Sequence, residues 1–423
     1  MRAAFLFEPR VDTLSPGLET EDMAKNPLPS VASAPIDPSA WNEVRDAARK
    51  FLKKELLPQV EQTEQEGVFA REVFRKMGAA GLAAPMLPEP WGMGDLMAQT
   101  LIAEEMGAMS SGFGLSVLAS VCLFGANVGR NGTPEQKERY LPGIASGEKI
   151  GCWGLTEPAT GSDALSITTR CQRDGDHYIL SGAKTFITNA PIADFFIIVT
   201  REYGADGKPI EGFQGGTAFI LERGTPGLRT GNPFHKLGHW SSPTGEVFLD
   251  NCRVPASAVL GTPGGAFADM KYSLDVERTV FGGLGTGLMR FCLETVVTYG
   301  SQRKQFGVAL LEHQMIQEKV AEISARLELI STYQMAVVEK LMRGESANKE
   351  AAVLKVMGSR FANEVADEAV QALGGYGYMR EYQVERCLRD AKLFDIGGGT
   401  SEIQKLIIAK QTIREILSHG RAR

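Results

Sequence analysis

The hydrophobic period of this chain changes twice, and that pattern limits its architecture more than any single motif. Over residues 40–60 the apolar side chains Trp41, Val44, Ala48, Phe51, Leu52 and Leu56 recur along one stripe, the spacing of an amphipathic helix. Further helices are predicted over 71–81, 98–107, 113–129 and 134–141. Residues 113–128 are apolar on nearly every side, which predicts a helix in the interior. Thr133 before Pro134 reads as an N-cap with proline at the first helical position. At Gly151 the helical period stops. Short runs at 177–181, 195–200, 217–221 and 246–249 are divided by Asp174-Gly175, Asp206-Gly207 and Gly224-Thr225-Pro226-Gly227, a pattern of strands and tight turns. From Gly265 long helical stripes return. Ile316, Val320, Ile323, Leu327, Ile330, Val337 and Leu341 form one; Val353, Met357, Phe361, Val365, Ala369 and Leu373 form another, stopped by Gly374. Ser401 and Gln404 are spaced as a capping box for a last helix. Two long stripes side by side predict an antiparallel bundle. The fold class is α+β: an N-terminal α-helical domain over 39–150, a middle β-domain over 151–265 and a C-terminal helical bundle over 266–423.

Composition narrows the function. The chain has 423 residues, 43% hydrophobic and 23% charged, with a net charge of −6 and no basic block. Those values describe an ordinary globular chain without the electrostatic footprint of a nucleic-acid binder. The six cysteines show no metal-ligand spacing and the five histidines no HExxH pattern, so no metal is expected, and the thiols are read as reduced in a cytoplasmic setting. No apolar run reads as long enough to span a bilayer, and no membrane partner is expected. Residues 1–38, rich in Pro, Ser and acid, read as an extension of low order. Their start fails as a secretory signal, and their acidic residues argue against a transit peptide. Met23 is an alternative start.

Two stretches carry the candidate chemistry. Trp153–Asp163, WGLTEPATGSD, is irregular, aromatic-led and rich in hydroxyls; 184–190, KTFITNA, adds Phe186, Thr188 and Asn189. They read as two polar-aromatic loops joined by one hairpin, able to line a pocket for a flat ring system. The run Gly282-Gly283-Leu284-Gly285-Thr286-Gly287 is not read as a dinucleotide fingerprint, because helix rather than strand precedes it. Close helix packing is the preferred reading. Gly397-Gly398-Gly399-Thr400 precedes a capped helix, where N–H groups can face an anion or a polarised oxygen. A structural turn explains it equally well.

With these stretches stand RKQFG at 303–307, EHQMIQ at 312–317, QALGGYGYMREY at 371–382, RDAK at 389–392 and GTSEIQ at 399–404. Together and in this order they resemble the acyl-CoA dehydrogenase family, over residues 40–417 or so. The resemblance implies a helical domain, a β-domain and a C-terminal four-helix bundle, with a non-covalent FAD lying against the β-domain. It implies that Trp153, Leu155 and Thr156 contact the flavin ring, that Phe186 stacks near it and that Thr188 bonds the N5 edge. Arg303, Phe306, Gln314, Gln371, Gly374 and Gly375 match positions that bind the FAD pyrophosphate and adenine across a subunit interface. Thr400 and Glu402 match positions near the cofactor's phosphates. Ser162 resembles the residue that holds the pantetheine arm of CoA, and Asp275 and Arg278 resemble groups along that arm. Taken alone, Arg303 and Phe186 would be read as a surface ion pair and a packed aromatic.

The chain departs from the commonest pattern at the catalytic base. Most of the family places a glutamate just before the Gly-Thr of the last glycine loop; here that position is Gly398. Glu277, in SLDVERTV, matches the alternative base of isovaleryl-CoA dehydrogenase and a few relatives. The implied reaction is loss of the α-proton of an acyl thioester to Glu277 and of hydride from the β-carbon to the flavin, giving the trans-2-enoyl thioester. The backbone N–H at Gly398 is one donor to the developing enolate oxygen. Leu115 and Leu118 are expected to floor the acyl pocket, and the glycines at 397 and 398 leave room for a short branched acyl group. The rival readings are a dehydrogenase of acyl or prolyl groups on a carrier protein, a flavin oxidase or monooxygenase, and a non-catalytic DNA-binding relative. An electron-transferring flavoprotein is the implied acceptor and a homotetramer the implied assembly.

Overall fold

The computed structural model describes residues 38–204 and 206–421; the extension expected over 1–38 lies, save Pro38, outside them. The first third is helical: α1 (Pro38–Glu55), α2 (Val60–Glu66), α3 (Arg71–Ala79), α4 (Leu96–Met109), α5 (Ser111–Leu118), α6 (Ala126–Asn131) and α7 (Pro134–Ala145). The helix expected over 40–60 is cut at a 3-10 turn, Leu57–Gln59, because Pro58 lacks the N–H that would continue the ladder. A π-helical segment, Ala119–Gly125, joins α5 to α6 in one buried rod. Thr133 caps α7 as expected, with Gln136 completing a capping box.

The middle of the chain forms β1 (Gly151–Gly154), β2 (Arg170–Asp174), β3 (His177–Thr188), β4 (Phe195–Glu202), β5 (Gly216–Glu222), β6 (Leu228–Thr230), β7 (Thr244–Pro255) and β8 (Val259–Leu260). They make one mixed sheet in the order β6-β7-β3-β2-β4-β5-β8, with β1 parallel to β4. β2 meets β4 through Arg170↔Arg201 and Cys171↔Glu202 alone, so the sheet falls into two halves. Side chains alternate across a strand. Phe196 and Ile198 of β4 therefore enter a core between the halves with Leu180, Phe219 and Val247, while Ile197 and Val199 join the main helical core. That double burial explains why the strand reads as an unbroken apolar run. The stretch KTFITNA is not a free loop: Lys184 to Thr188 complete β3, paired to β7.

The C-terminal third holds α8 (Ala266–Gln302), a small hairpin of β9 (Lys304–Gln305) and β10 (Val308–Ala309), then α9 (Gln314–Met342), α10 (Asn348–Leu373), α11 (Val384–Ile396) and α12 (Ser401–Arg421). The glycine run at 282–287 lies inside α8, where it meets α4. A Cβ on Gly283 would sit 2.8 Å from the Thr100 carbonyl oxygen, and one on Gly287 would sit 1.9 Å from that of Glu104. Backbone approaches backbone because the side chains are missing. Charges seal the crossing: Arg290 meets Glu104 at 2.7 Å and Glu105 at 2.8 Å, while Arg45 and Arg49 of α1 reach the same two carboxylates. Buried carboxylates at such a place need paired partners. Gly374 ends α10 with φ of +60°. The capping box expected of Ser401 and Gln404 is not made. Thr400 Oγ1 accepts from the Ile403 N–H, Ser401 donates to Asp395, and Gln404 reaches back to the glycine loop.

The rod Ser111–Asn131 and the helix Ala266–Gln302 are each long and apolar enough to cross a bilayer, which corrects the expectation that no such run exists. Both are packed into the interior here, with most of the apolar window of the first buried. The α4–α8 contact yields a prediction. Gly287→Ala forces a methyl into the Glu104 carbonyl and should destabilise by roughly 1–3 kcal/mol or more, read as a lower midpoint in thermal unfolding; an unchanged midpoint would contradict the contact.

Candidate active site

Glu277 lies on the first half of α8 and is 8% exposed. Its Oε2 is buried without a hydrogen-bond partner. Burial pushes its carboxyl up to about 7, against the pull of Arg278 and Lys355. Desolvation penalises the charged form of an acid, so a carboxyl kept dry stays protonated to higher pH. Cys122, from the π-helical segment, is close enough for the Glu277 charge to add to the effect of burial on its thiol.

The loop Gly397-Gly398-Gly399 faces this carboxylate. Gly398 has φ of +64° and Gly399 φ of +87°. A Cβ on Gly398 would lie 3.5 Å from Glu277 Oε1. Glycine is therefore suited here twice, by backbone conformation and by the space it leaves before Glu277. Arg278 Nε donates to the Gly398 carbonyl at 3.1 Å, and Nη1 donates to Asp275 Oδ1 at 3.2 Å. Asn348 Nδ2 donates to the same Asp275 oxygen at 3.0 Å. Burial raises the Asp275 carboxyl, with Arg278 opposing. Lys355, lowered by burial to about 8, donates to the Asp395 carbonyl at 3.1 Å.

On the β-domain, Trp153, Leu155, Thr156 and Thr188 are half-buried and Phe186 is 68% exposed. Phe186 has φ of +57°, and its ring lies 5.7 Å from that of Phe234. The hydroxyls of Thr156 and Thr188 have no hydrogen-bond partner among the described residues. An open apolar face edged by unpaired hydroxyls fits a flat ring with polar edges, which is what the isoalloxazine of FAD presents. Ser162 is exposed on the loop after β1, while Leu115 and Leu118 are buried on α5. Thr400 and Glu402 stand at the start of α12, beside a cavity of 380 Å³ where Arg360, Lys392 and Lys405 face Glu364, Asp395 and Glu402, with Lys392 paired to Asp395 at 2.9 Å.

The remaining predicted residues gather elsewhere. Arg303 ends α8, about 39 Å from Glu277 at the helical rise of 1.5 Å per residue. Near it, the Arg303 guanidinium lies 5.8 Å from the ring of Tyr376, next to Gly374 and Gly375, while Phe306 is 95% exposed. Gln314 and Gln371 are exposed at the ends of α9 and α10. One chain does not bring this set to Glu277.

Sequence reasoning missed the buried pair beneath the Leu155–Glu157 segment. Lys184 is fully buried, and its Nζ donates to Glu157 Oε1 at 2.8 Å and to the Leu155 carbonyl at 3.0 Å. Glu157 also accepts from the Thr168 and Thr169 N–H groups at 2.7 and 2.8 Å. Burial raises the Glu157 carboxyl, but Lys184 and these donors outweigh it and lower it to about 2. The signal was present: Lys184 continues the inward row of Tyr178 and Leu180, and a lysine in such a row needs a counter-charge. The pair ties the Leu155–Glu157 backbone to β3.

Known proteins resemble this chain over most of its length. Models of the acyl-CoA dehydrogenase N-terminal, middle and C-terminal domains match residues 40–148, 152–252 and 265–413. A probable acyl-CoA dehydrogenase of Bacillus subtilis (strain 168) is 39% identical over 375 residues, spanning 88% of this chain and 97% of that one. Mitochondrial isovaleryl-CoA dehydrogenase of Oryza sativa subsp. japonica is 35% identical over 392 residues, spanning 92% and 95%. The crystal structure of the prolyl acyl carrier protein oxidase AnaB superposes with a TM-score of 0.84 at 31% identity, over 88% of this chain and 99% of its own. The chain belongs to the acyl-CoA dehydrogenase family of FAD-dependent oxidoreductases.

Proposed function

We propose that this protein dehydrogenates a short branched acyl-CoA, of the isovaleryl type, to its trans-2-enoyl-CoA with Glu277 as the base. The observation that carries the reading is the unpaired Glu277 Oε2, buried opposite a position that has no side chain. Bound FAD supplies the hydride acceptor for the β-carbon. The chain's own residues do the rest. Glu277 takes the α-proton from the substrate side of α8. The Gly398 N–H donates to the thioester oxygen, on which charge develops as that proton leaves. A carboxyl near neutrality suits this transfer, because a general base works best with a pKa near the operating pH. Trp153, Leu155, Thr156, Phe186 and Thr188 hold the flavin, with Thr400 and Glu402 toward its phosphates. Ser162 and Leu115, backed by Leu118, hold the arm and the acyl group. The room before Gly398 supports a branched acyl chain, as does similarity to isovaleryl-CoA dehydrogenase.

The set around Arg303 and Gly374 is too far away to serve the same FAD, which supports a homotetramer in which those residues bind a partner's cofactor. An electron-transferring flavoprotein is the proposed acceptor. The six unpaired, buried thiols suit a reducing, cytoplasmic setting. Likeness to the carrier protein oxidase supports a second reading, a thioester borne on a carrier.

Glu277→Gln should lower kcat by roughly 10²–10⁴-fold or more while FAD content stays at the wild-type level. Comparable turnover in the variant removes Glu277 from the mechanism. Since the carboxyl is protonated below about 7, kcat/KM should fall as pH drops through that value and level off above it. A profile flat down to pH ~5, near an ordinary carboxyl, would contradict the burial argument. Anaerobic titration with a panel of thioesters should bleach the flavin fastest with short branched acyl-CoAs. Preference for long straight chains overturns the acyl assignment, and bleaching only by carrier-bound groups favours the second reading.

A further inference from the structure

We propose that Arg278 is a positioning residue: by anchoring the Gly398 carbonyl it holds that glycine in place, so that the Gly398 N–H, in the preceding peptide unit, stays aimed at the thioester oxygen while Glu277 removes the proton. The inference rests on the dehydrogenase reading above. A run of glycines has weak backbone preferences, and this one holds two successive positive φ angles. Something outside the loop must hold it. Two donors converge on one acceptor: Arg278 Nε at 3.1 Å and Gln404 Nε2 at 3.3 Å both bond the Gly398 carbonyl. Gln404 is the weaker tie, since it divides itself with the Gly399 carbonyl at 3.2 Å and its own Oε1 is buried without a partner.

The guanidinium is itself held. It is 7% exposed, and Asp275 fixes Nη1. Asn348 bonds Asp275, and Gln411 Nε2 bonds Asn348 Oδ1 at 3.2 Å. The chain of contacts runs from α12 through α10 to α8 and ends on the loop that leads into α12. Arg278 also follows Glu277 directly in sequence. The base and the clamp on the oxygen donor thus share one turn of one helix, and their separation is set by α8 rather than by the loop. Nε and Nη1 are both engaged inward, on the Gly398 carbonyl and on Asp275. Nη2 has no hydrogen-bond partner among the described residues and lies beside Gly399, so the kinetic split between kcat and KM has to separate the clamp from a grip on the CoA arm.

The test uses full-length, FAD-loaded protein with Arg278→Lys and Arg278→Gln. Both should lower kcat by roughly 10²-fold, the size of a small misplacement at a reacting centre, with KM little changed. Acetoacetyl-CoA gives a second readout without turnover. Its enolate needs the same oxygen donor, so the long-wavelength absorbance of its complex with the wild-type flavin should weaken or disappear in both variants. Retained kcat with a raised KM would assign Arg278 to the CoA arm and overturn the proposal, as would unchanged kinetics and absorbance. Should the Arg278 variants fail to fold, Asp275→Asn keeps the guanidinium and loosens it. It should show the same absorbance loss with a smaller fall in kcat, and wild-type behaviour would overturn the proposal. A wild-type protein that no acyl thioester bleaches would instead sink the parent reading.

Discussion

A carboxylate sealed from water with one oxygen unpaired is costly, and the region around Glu277 is arranged to keep it so. α8 can bring Glu277 into the interior because its later glycines let it lie backbone to backbone on α4. The carboxylates of α4 are met there by arginines from α1 and from α8 itself. The glycine loop can come up to Glu277 because Gly398 has no side chain and takes a left-handed conformation. A side chain at Gly398 would strain the backbone, and its Cβ would come into contact with the carboxylate.

Polar groups are paired where segments distant in sequence meet near the site. The Lys184–Glu157 pair fastens the loop after β1 to β3. Ser111 meets His239 at 3.0 Å, and the His239 N–H donates to Asp390, so helical and β segments are stitched through one buried histidine. Burial lowers the proton affinity of His239, against the pull of Asp390. In such surroundings an unmatched donor or acceptor is expensive. Glu277 Oε2 is one of a few buried side-chain atoms left unmatched among the described residues, with Glu64 Oε2, Asn189 Oδ1 and Gln404 Oε1 among the others; it is singled out because it belongs to a carboxyl that faces the glycine loop.

The architecture was legible wherever one period ran long enough. The stripes of α9 and α10, the buried rod from Ser111 to Asn131 and the N-cap at Thr133 follow from residue spacing. The helical nature of the glycine run at 282–287 followed from what precedes it. The short strands β1, β2, β6 and β8 were missed, since two to five residues carry too little alternation to register. Lys184 to Thr188 were read as a loop because polar residues in a strand buried by pairing look like loop residues. Ser401 and Gln404 had the spacing of a capping box, but their side chains found tertiary partners. At the site, the missing carboxylate at Gly398 and the presence of Glu277 were both visible. That Arg278 reaches the Gly398 carbonyl was not, because a contact between residues so far apart in the chain leaves no local pattern.

The central claim is that the proton acceptor sits on α8. Inactivation of the FAD-loaded protein by a 2-alkynoyl-CoA, followed by peptide mapping, tests it most directly, because such a thioester esterifies the carboxylate that reaches its α-carbon region. The account predicts one adduct, on the peptide carrying Glu277. An adduct on any other residue, or inactivation that persists in Glu277→Gln, would contradict it.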